Sequence, residues 1–163
     1  MTTLAIIHYS HTGGARQLAE AAGAAALETG DVTVRVIDAR QAASGDVLGA
    51  DGLIFACPEN LAAIAGEMKA FFDRTYYDVL GQVEGRPYAA MVCAGSDGHN
   101  AARQLDRIAT GWRLRRIADT LIVNVGAQTQ EQILAPKHLT QAQLAPAREM
   151  GGAMAAGLAL GVF

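Results

Sequence analysis

Residues 4–27 read LAIIHYSHTGGARQLAEAAGAAAL. Leu4-Ala5-Ile6-Ile7 is a short apolar, β-branched run of the kind that forms a buried strand. Ala15, Leu18, Ala19 and Ala22 then recur at the i, i+3, i+4, i+7 spacing of a helix stripe. Between strand and helix lies Ser10-His11-Thr12-Gly13-Gly14, hydroxyls and glycines in a tight loop. A strand that feeds such a loop into a helix N-terminus offers unpaired backbone N–H groups and the positive end of the helix dipole. Phosphate is the usual anion at such a place.

Two nucleotide patterns fail at this loop. No Lys-Ser or Lys-Thr follows the glycines, as gripping ATP or GTP requires. His11-Thr12 stand where G-x-G-x-x-G needs its first glycines. The chemistry also fits an ordinary βα turn in which Thr12 or Ser10 caps the helix.

Strand and helix signals keep alternating downstream. Val32–Asp38 (VTVRVID) alternates as a strand, after a Thr29-Gly30-Asp31 helix stop. Residues 39–50 are small and polar, with room for a short helix. Gly52–Cys57 is a continuous apolar strand expected to break at Pro58. The loop Glu59–Ala62 precedes a helix with Ile64, Met68, Phe71 and Phe72 on one face. Tyr88–Cys93 is a fourth strand opened by Pro87, followed by the loop Gly95-Ser96-Asp97-Gly98. A helix marked by Ala101, Leu105, Ile108 and Trp112 follows, with Asn100 as its expected cap. Ile117–Val125 is the fifth strand, and residues 126–137 form a polar connection without a period. Thr140 and Gln143 make a capping-box pair, flanked by Leu139 and Leu144, for a last helix in which Pro146 predicts a kink or a short preliminary turn. Five alternations without a repeat or linker predict one α/β domain over residues 1–163, a doubly wound five-stranded parallel sheet in three α/β/α layers. Ligands of such sheets sit outside the carboxyl ends of the strands, where the strand order reverses.

Composition narrows the classes of function. With 163 residues, 51% apolar and a net charge of −3, the chain suits neither disorder nor nucleic-acid binding nor a strongly acidic electron carrier. Residues 1–20 lack a signal-peptide pattern, and the longest apolar run, Ala153–Phe163, is too short for a membrane span. Cys57 and Cys93 form neither a disulfide framework nor a zinc pattern and read as buried thiols of a reduced, cytoplasmic protein.

Ser10-His11-Thr12-Gly13-Gly14-Ala15 resembles the FMN-phosphate loop of flavodoxin-like proteins, with Ala15 where that family often has a second hydroxyl. One lost contact to a charged phosphate is worth about 1–3 kcal/mol. The stretch DGLIFACP (51–58) followed by GEMKAFFDR (66–74) is similar to the multimeric flavodoxin family, which includes FMN-dependent NAD(P)H:quinone oxidoreductases. The resemblance implies that Ser10, His11, Thr12, Gly13, Gly14 and Ala15 hold the FMN phosphate. It places Pro58, Glu59, Asn60, Leu61 and Ala62 beside the isoalloxazine, and Gly95, Ser96, Asp97 and Gly98 on its other flank. Gly95, Gly98 and Ala62 are small enough for close backbone approach to a ring. It implies NADH or NADPH as co-substrate, a small-molecule acceptor such as a quinone, and a homo-dimer or homo-tetramer, with Tyr76-Tyr77 as a candidate subunit contact or packing pair.

Neither loop carries the aromatic residues that sandwich the flavin of electron-carrier flavodoxins, which leaves one ring face open. Glu59 either points at the ring, where its charge disfavours the anionic reduced flavin, or turns to solvent or caps the following helix. His99 reads as a cap or surface residue before a proton donor, and Lys69 and Arg74 as solvated. No catalytic acid or base is named, because in this chemistry the flavin reacts and the protein positions it. A flavodoxin-type carrier serving a protein partner is the second reading. A phosphorylated receiver domain is set aside, since Ile7, His8 and Tyr9 stand where its acidic pair belongs and Cys57 where its Asp does.

Overall fold

A computed structural model describes residues 1–163. The chain runs β1 (Thr2–His8), α1 (Gly14–Glu28), β2 (Val32–Asp38), α2 (Ser44–Leu48), β3 (Gly52–Asn60), β4 (Ala63–Ile64) and α3 (Gly66–Val79). It continues through β5 (Pro87–Ala94), α4 (His99–Gly111), β6 (Arg115–Arg116), β7 (Leu121–Asn124), α5 (Gln130–Leu134) and α6 (Gln141–Ala159). The main sheet is parallel in the order β2-β1-β3-β5, with β6 and β7 sharing the position beyond β5. This is the doubly wound, flavodoxin-like three-layer arrangement expected, and it brings the ends of β1, β3 and β5 to one edge.

The strands read as unbroken apolar runs because both faces are covered. Their period-2 alternation sorts the runs into two cores. Leu4, Ile6, Ile54 and Met91 meet α1 and α6, whereas Ile7, Leu53, Phe55 and Val92 meet the layer of α2, α3 and α4. In that second core Phe72 packs edge-on against Phe55 and Trp112, with ring centroids 5.0 and 5.3 Å apart. Such pairs are worth about 0.5–1.5 kcal/mol each beyond area burial.

Four local expectations need correction. The chain does not break at Pro58, and residues 59–62 are not a free loop. β3 runs on to Asn60, and Asn60↔Ala63 closes an antiparallel hairpin. Pro58 is tolerated because its missing N–H would point toward β1, whose pairing with β3 ends at His8↔Ala56. The fifth strand is not continuous from Ile117: it is the pair β6 and β7, and the chain between them wraps the Asp106 carboxylate. Asp106 accepts from Tyr88 Oη, Thr120 Oγ1 and Arg116 Nη1 at 3.0, 3.1 and 3.2 Å. Asn100 does not cap α4; the N-cap is Gly98, and Asn100 Nδ2 donates to the Ala62 carbonyl at 2.5 Å. Arg74 is exposed, as expected, and it also donates to the carbonyls of Ala39 and Ala42, which fastens the chain after β2. Residues 126–137 are more than a connection, because they contain α5. The Thr140–Gln143 capping box is present, and α6 continues through Pro146 as one helix.

Candidate functional site

The loop after β1 is held from within. Gly13 takes φ +100°, which suits glycine, and its N–H donates to Ser10 Oγ at 3.0 Å. Ser10 therefore pins the loop, and neither it nor Thr12 caps α1, whose N-cap is Gly13 with no side-chain cap. The backbone N–H groups of Thr12, Gly14 and Ala15 donate to no protein acceptor. They are ready donors at a helix N-terminus. Gly14 is required by contact: a Cβ there would lie 2.4 Å from Cys93 Sγ. The loop thus rests directly on the end of β5.

This loop opens onto a cavity of about 410 Å³, within the range of about 300–1,000 Å³ usual for small-molecule and cofactor sites. Ser10, His11, Thr12, Gly14 and Ala15 line it from the first loop, Pro58, Glu59, Asn60 and Leu61 from the β3 hairpin, and Gly95 and Ser96 from the end of β5. The three sequence-predicted segments converge. Gly13, Ala62, Asp97 and Gly98 are not among the lining residues.

Glu59 neither faces the cavity as a free charge nor caps the helix that follows it. Its Oε2 accepts from the Gly98 N–H at 2.7 Å, joining the second segment to the third at the N-terminus of α4. Gly98 takes φ +96°, and its position answers to Ile122 packing, since a Cβ would come within 2.7 Å of that side chain. Gly95 is fixed by Ala127, whose carbonyl oxygen would lie 2.7 Å from an added Cβ. Protein contacts, not ligand approach, explain both glycines. His99 is an exposed residue whose Nδ1 meets Asp97 Oδ1 at 2.7 Å, a hydrogen bond that holds the Asp97 carboxyl below its ordinary range.

The fourth wall was absent from the sequence reading. Val125, Ala127, Ile133 and Lys137 close the cavity, and Cys93 and Ala94 form its floor. The available signal was Thr129-x-x-Gln132, a capping box that starts α5. Lys137 ends this unit by donating from Nζ to the carbonyls of Gln132, Ile133 and Ala135 at 2.9, 3.0 and 2.6 Å. Gln17 couples the wall to the first loop, donating to the Gly13 and Lys137 carbonyls and accepting from the Leu139 N–H. Burial raises the thiol pKa of Cys93 and pushes that of Cys57 up to about 12, the direction expected for buried thiols.

The arrangement is an uncharged cradle of amides and hydroxyls beside a slot with an apolar rim. Leu61, fully exposed, stands at its mouth with Ile133.

Comparison with known proteins agrees with this architecture. A family model described as NADPH-dependent FMN reductase matches residues 1–128. A curated flavodoxin of Aquifex aeolicus (strain VF5) is 34% identical over 100 residues, 60% of this chain and 53% of that protein. The chain thus spans about half the length of that relative. A flavodoxin from the domain Archaea superposes with a TM-score of 0.77 at 17% identity, covering 96% of this chain and 99% of that one. A WrbA-like flavodoxin from Agrobacterium tumefaciens does so with a TM-score of 0.72 at 14% identity, covering 96% of each. The chain belongs to the NADPH-dependent FMN reductase family, among the FMN-binding, flavodoxin-like oxidoreductases.

Proposed function

We propose that the chain holds FMN in the cavity between β1, β3 and β5 and passes electrons from NADH or NADPH to a quinone or similar small acceptor. The observation that carries this reading is the set of unpaired N–H groups of Thr12, Gly14 and Ala15 opening onto the same cavity as the β3 hairpin and Gly95. These donors, with the hydroxyls of Ser10 and Thr12, suit a phosphate monoester. Bound FMN would supply the redox chemistry. Pro58 to Leu61 would line one edge of its ring system and Gly95-Ser96 the other, while α5 excludes water from the far wall. Leu61 at the mouth gives an apolar rim without the bulk of a stacked aromatic, which leaves space for a second planar molecule.

Titration of flavin-free protein with FMN, followed by steady-state oxidation of NADH or NADPH with a quinone, tests this. Saturable flavin uptake and turnover are expected. Protein that stays colourless and takes up no FMN would overturn the reading. A carrier role serving a protein partner is the second reading, favoured by the Aquifex relative's description as a flavodoxin. Flavin uptake without quinone-dependent turnover would decide for it. Assembly into two or four copies belongs to the first reading through Tyr77, exposed beside Tyr76 at a ring distance of 5.1 Å, and sedimentation velocity reads it.

A further inference from the structure

Of the 13 Lys and Arg side chains, all but two are engaged, by carboxylates, by main-chain carbonyls or, for Arg115, by the Phe163 ring. The two without a partner are Arg103 and Arg107, both exposed and one turn apart on α4. Like charges at that spacing oppose each other on a helix, so nothing within the chain accounts for the pair. They stand where positive charge gathers, since residues 99–120 hold five arginines against two aspartates in a chain of net charge −3. Both line an open groove of about 510 Å³ whose opposite wall is Thr120 and Ile122. Asp106, the carboxylate in this groove, is already taken by Tyr88, Thr120 and Arg116.

The wall at Ile122 is β7, a strand at the edge of the sheet. The Val125 N–H donates to the Ala94 carbonyl, so by the alternation of a parallel ladder Leu121 and Val123 turn their main-chain groups toward β5. Those of Ile122 and Asn124 turn outward and meet no protein partner. No charged residue or proline blunts this edge, and such an edge is a template for another strand. We propose that the groove docks an extended acidic segment of a partner protein, added as a strand to the free edge of β7. Main-chain groups of the segment pair with Ile122 and Asn124, while its carboxylates on the α4 side meet Arg103 and Arg107. The spacing fits, because four residues of helix rise about 6 Å and alternate residues of a strand lie about 6.8 Å apart. A nucleic acid suits a net-negative chain with two free arginines poorly. A small anion would leave the strand edge unanswered. β7 leads directly into Val125 and Ala127 of the flavin cavity wall, yet the groove shares no residue with that cavity. A docked partner thus lies beside the cavity without filling it.

The test is titration of the ¹⁵N-labelled full chain with an acetylated, amidated peptide of four Thr-Glu repeats, read by NMR amide shifts and calorimetry. Saturable shifts at the Ile122 and Asn124 amides are expected, with Arg103→Gln and Arg107→Gln each weakening binding about two- to fivefold. A peptide of Thr-Gln repeats should bind about tenfold more weakly, and so should a Thr-Glu peptide N-methylated throughout, which keeps every charge and loses its main-chain donors. No saturable binding, shifts that spare Ile122 and Asn124, or variants that bind as the parent does would each overturn the proposal. So would a control peptide as tight as the first, or displacement of the peptide by inorganic phosphate or a DNA oligonucleotide at constant ionic strength. No residue of the flavin cavity takes part, so failure of FMN uptake sinks the flavin reading and leaves this result standing.

Discussion

Gly14 and Cys93 are two residues from distant parts of the chain that occupy what is almost one position. A methyl group on Gly14 would lie 2.4 Å from Cys93 Sγ, and both sit at the floor of the cavity. Gly14→Ala should therefore cost about 1–3 kcal/mol in urea denaturation and weaken FMN binding by tilting the first turn of α1. Cys93→Ala in the same chain removes the obstructing sulfur and should restore most of both losses. A double variant no better than Gly14→Ala would show that backbone conformation, not contact, fixes the glycine. His8 makes a different residue-scale prediction. Burial lowers its pKa, with Arg16 and Arg40 adding to the effect and Asp38 and Glu20 opposing it. The unfolded chain then binds that proton more readily, so stability should fall as pH drops below about 6.5 and level off below the folded pKa. His8→Phe should flatten that part of the profile. Asp38 acts in a separate window: hydrogen bonding to Arg40 lowers its pKa to about 2, so its contribution is full above about pH 4 and is lost toward pH 2.

At the scale of elements, the β3–β4 hairpin carries a cost that a single change relieves. Its two turn residues, Leu61 and Ala62, have φ of +50° and +60°, the paired positive values that turns of this length prefer to fill with Asn and Gly. Asn100 and Gln104 of α4 hold the hairpin, through the Ala62 carbonyl and the Ile64 N–H. Ala62→Gly should raise stability by about 0.5–1 kcal/mol, seen as a higher urea midpoint with unchanged slope. An unchanged or lower midpoint would mean that α4 already absorbs the strain. This hairpin also shows why part of the site was hidden. The β1 loop, the strands β1, β2 and β5 and the α6 capping box were legible, because apolar runs, glycines and a Thr-x-x-Gln pair act locally. The hairpin was not, since Leu61-Ala62 is a turn that no local preference favours and that tertiary bonds enforce. The α5 wall was missed for another reason: its five residues are too few to display a period, and only Thr129 and Gln132 announce it. Glu59 was placed by long-range topology alone, because its partner Gly98 lies 39 residues away.

Across the whole molecule, the layer that backs the first loop depends on how closely α1 and α6 approach. A Cβ on Gly151 would meet the Ala22 carbonyl oxygen at 2.0 Å and the carbonyl carbon at 2.6 Å. The obstruction is helix backbone, so nothing local can yield, and a methyl group must push two helices apart. Gly157, six residues further along α6, is just as crowded, with the Phe163 ring 2.0 Å from an added Cβ. That ring is an exposed side chain, not helix backbone, and can swing away. Gly151→Ala should thus cost about 3 kcal/mol or more, and Gly157→Ala less than about 1 kcal/mol, although each adds one methyl group to a helix interior. The two also differ in reach. Because α1 carries the free N–H groups of Gly14 and Ala15 at its start, displacing it should weaken FMN binding in the folded fraction of Gly151→Ala and leave Gly157→Ala at the parent affinity. Equal stability losses, or an FMN affinity in Gly151→Ala equal to that of the parent, would show that the helix pair yields along its length and that the cradle is set by β1 and β5 alone.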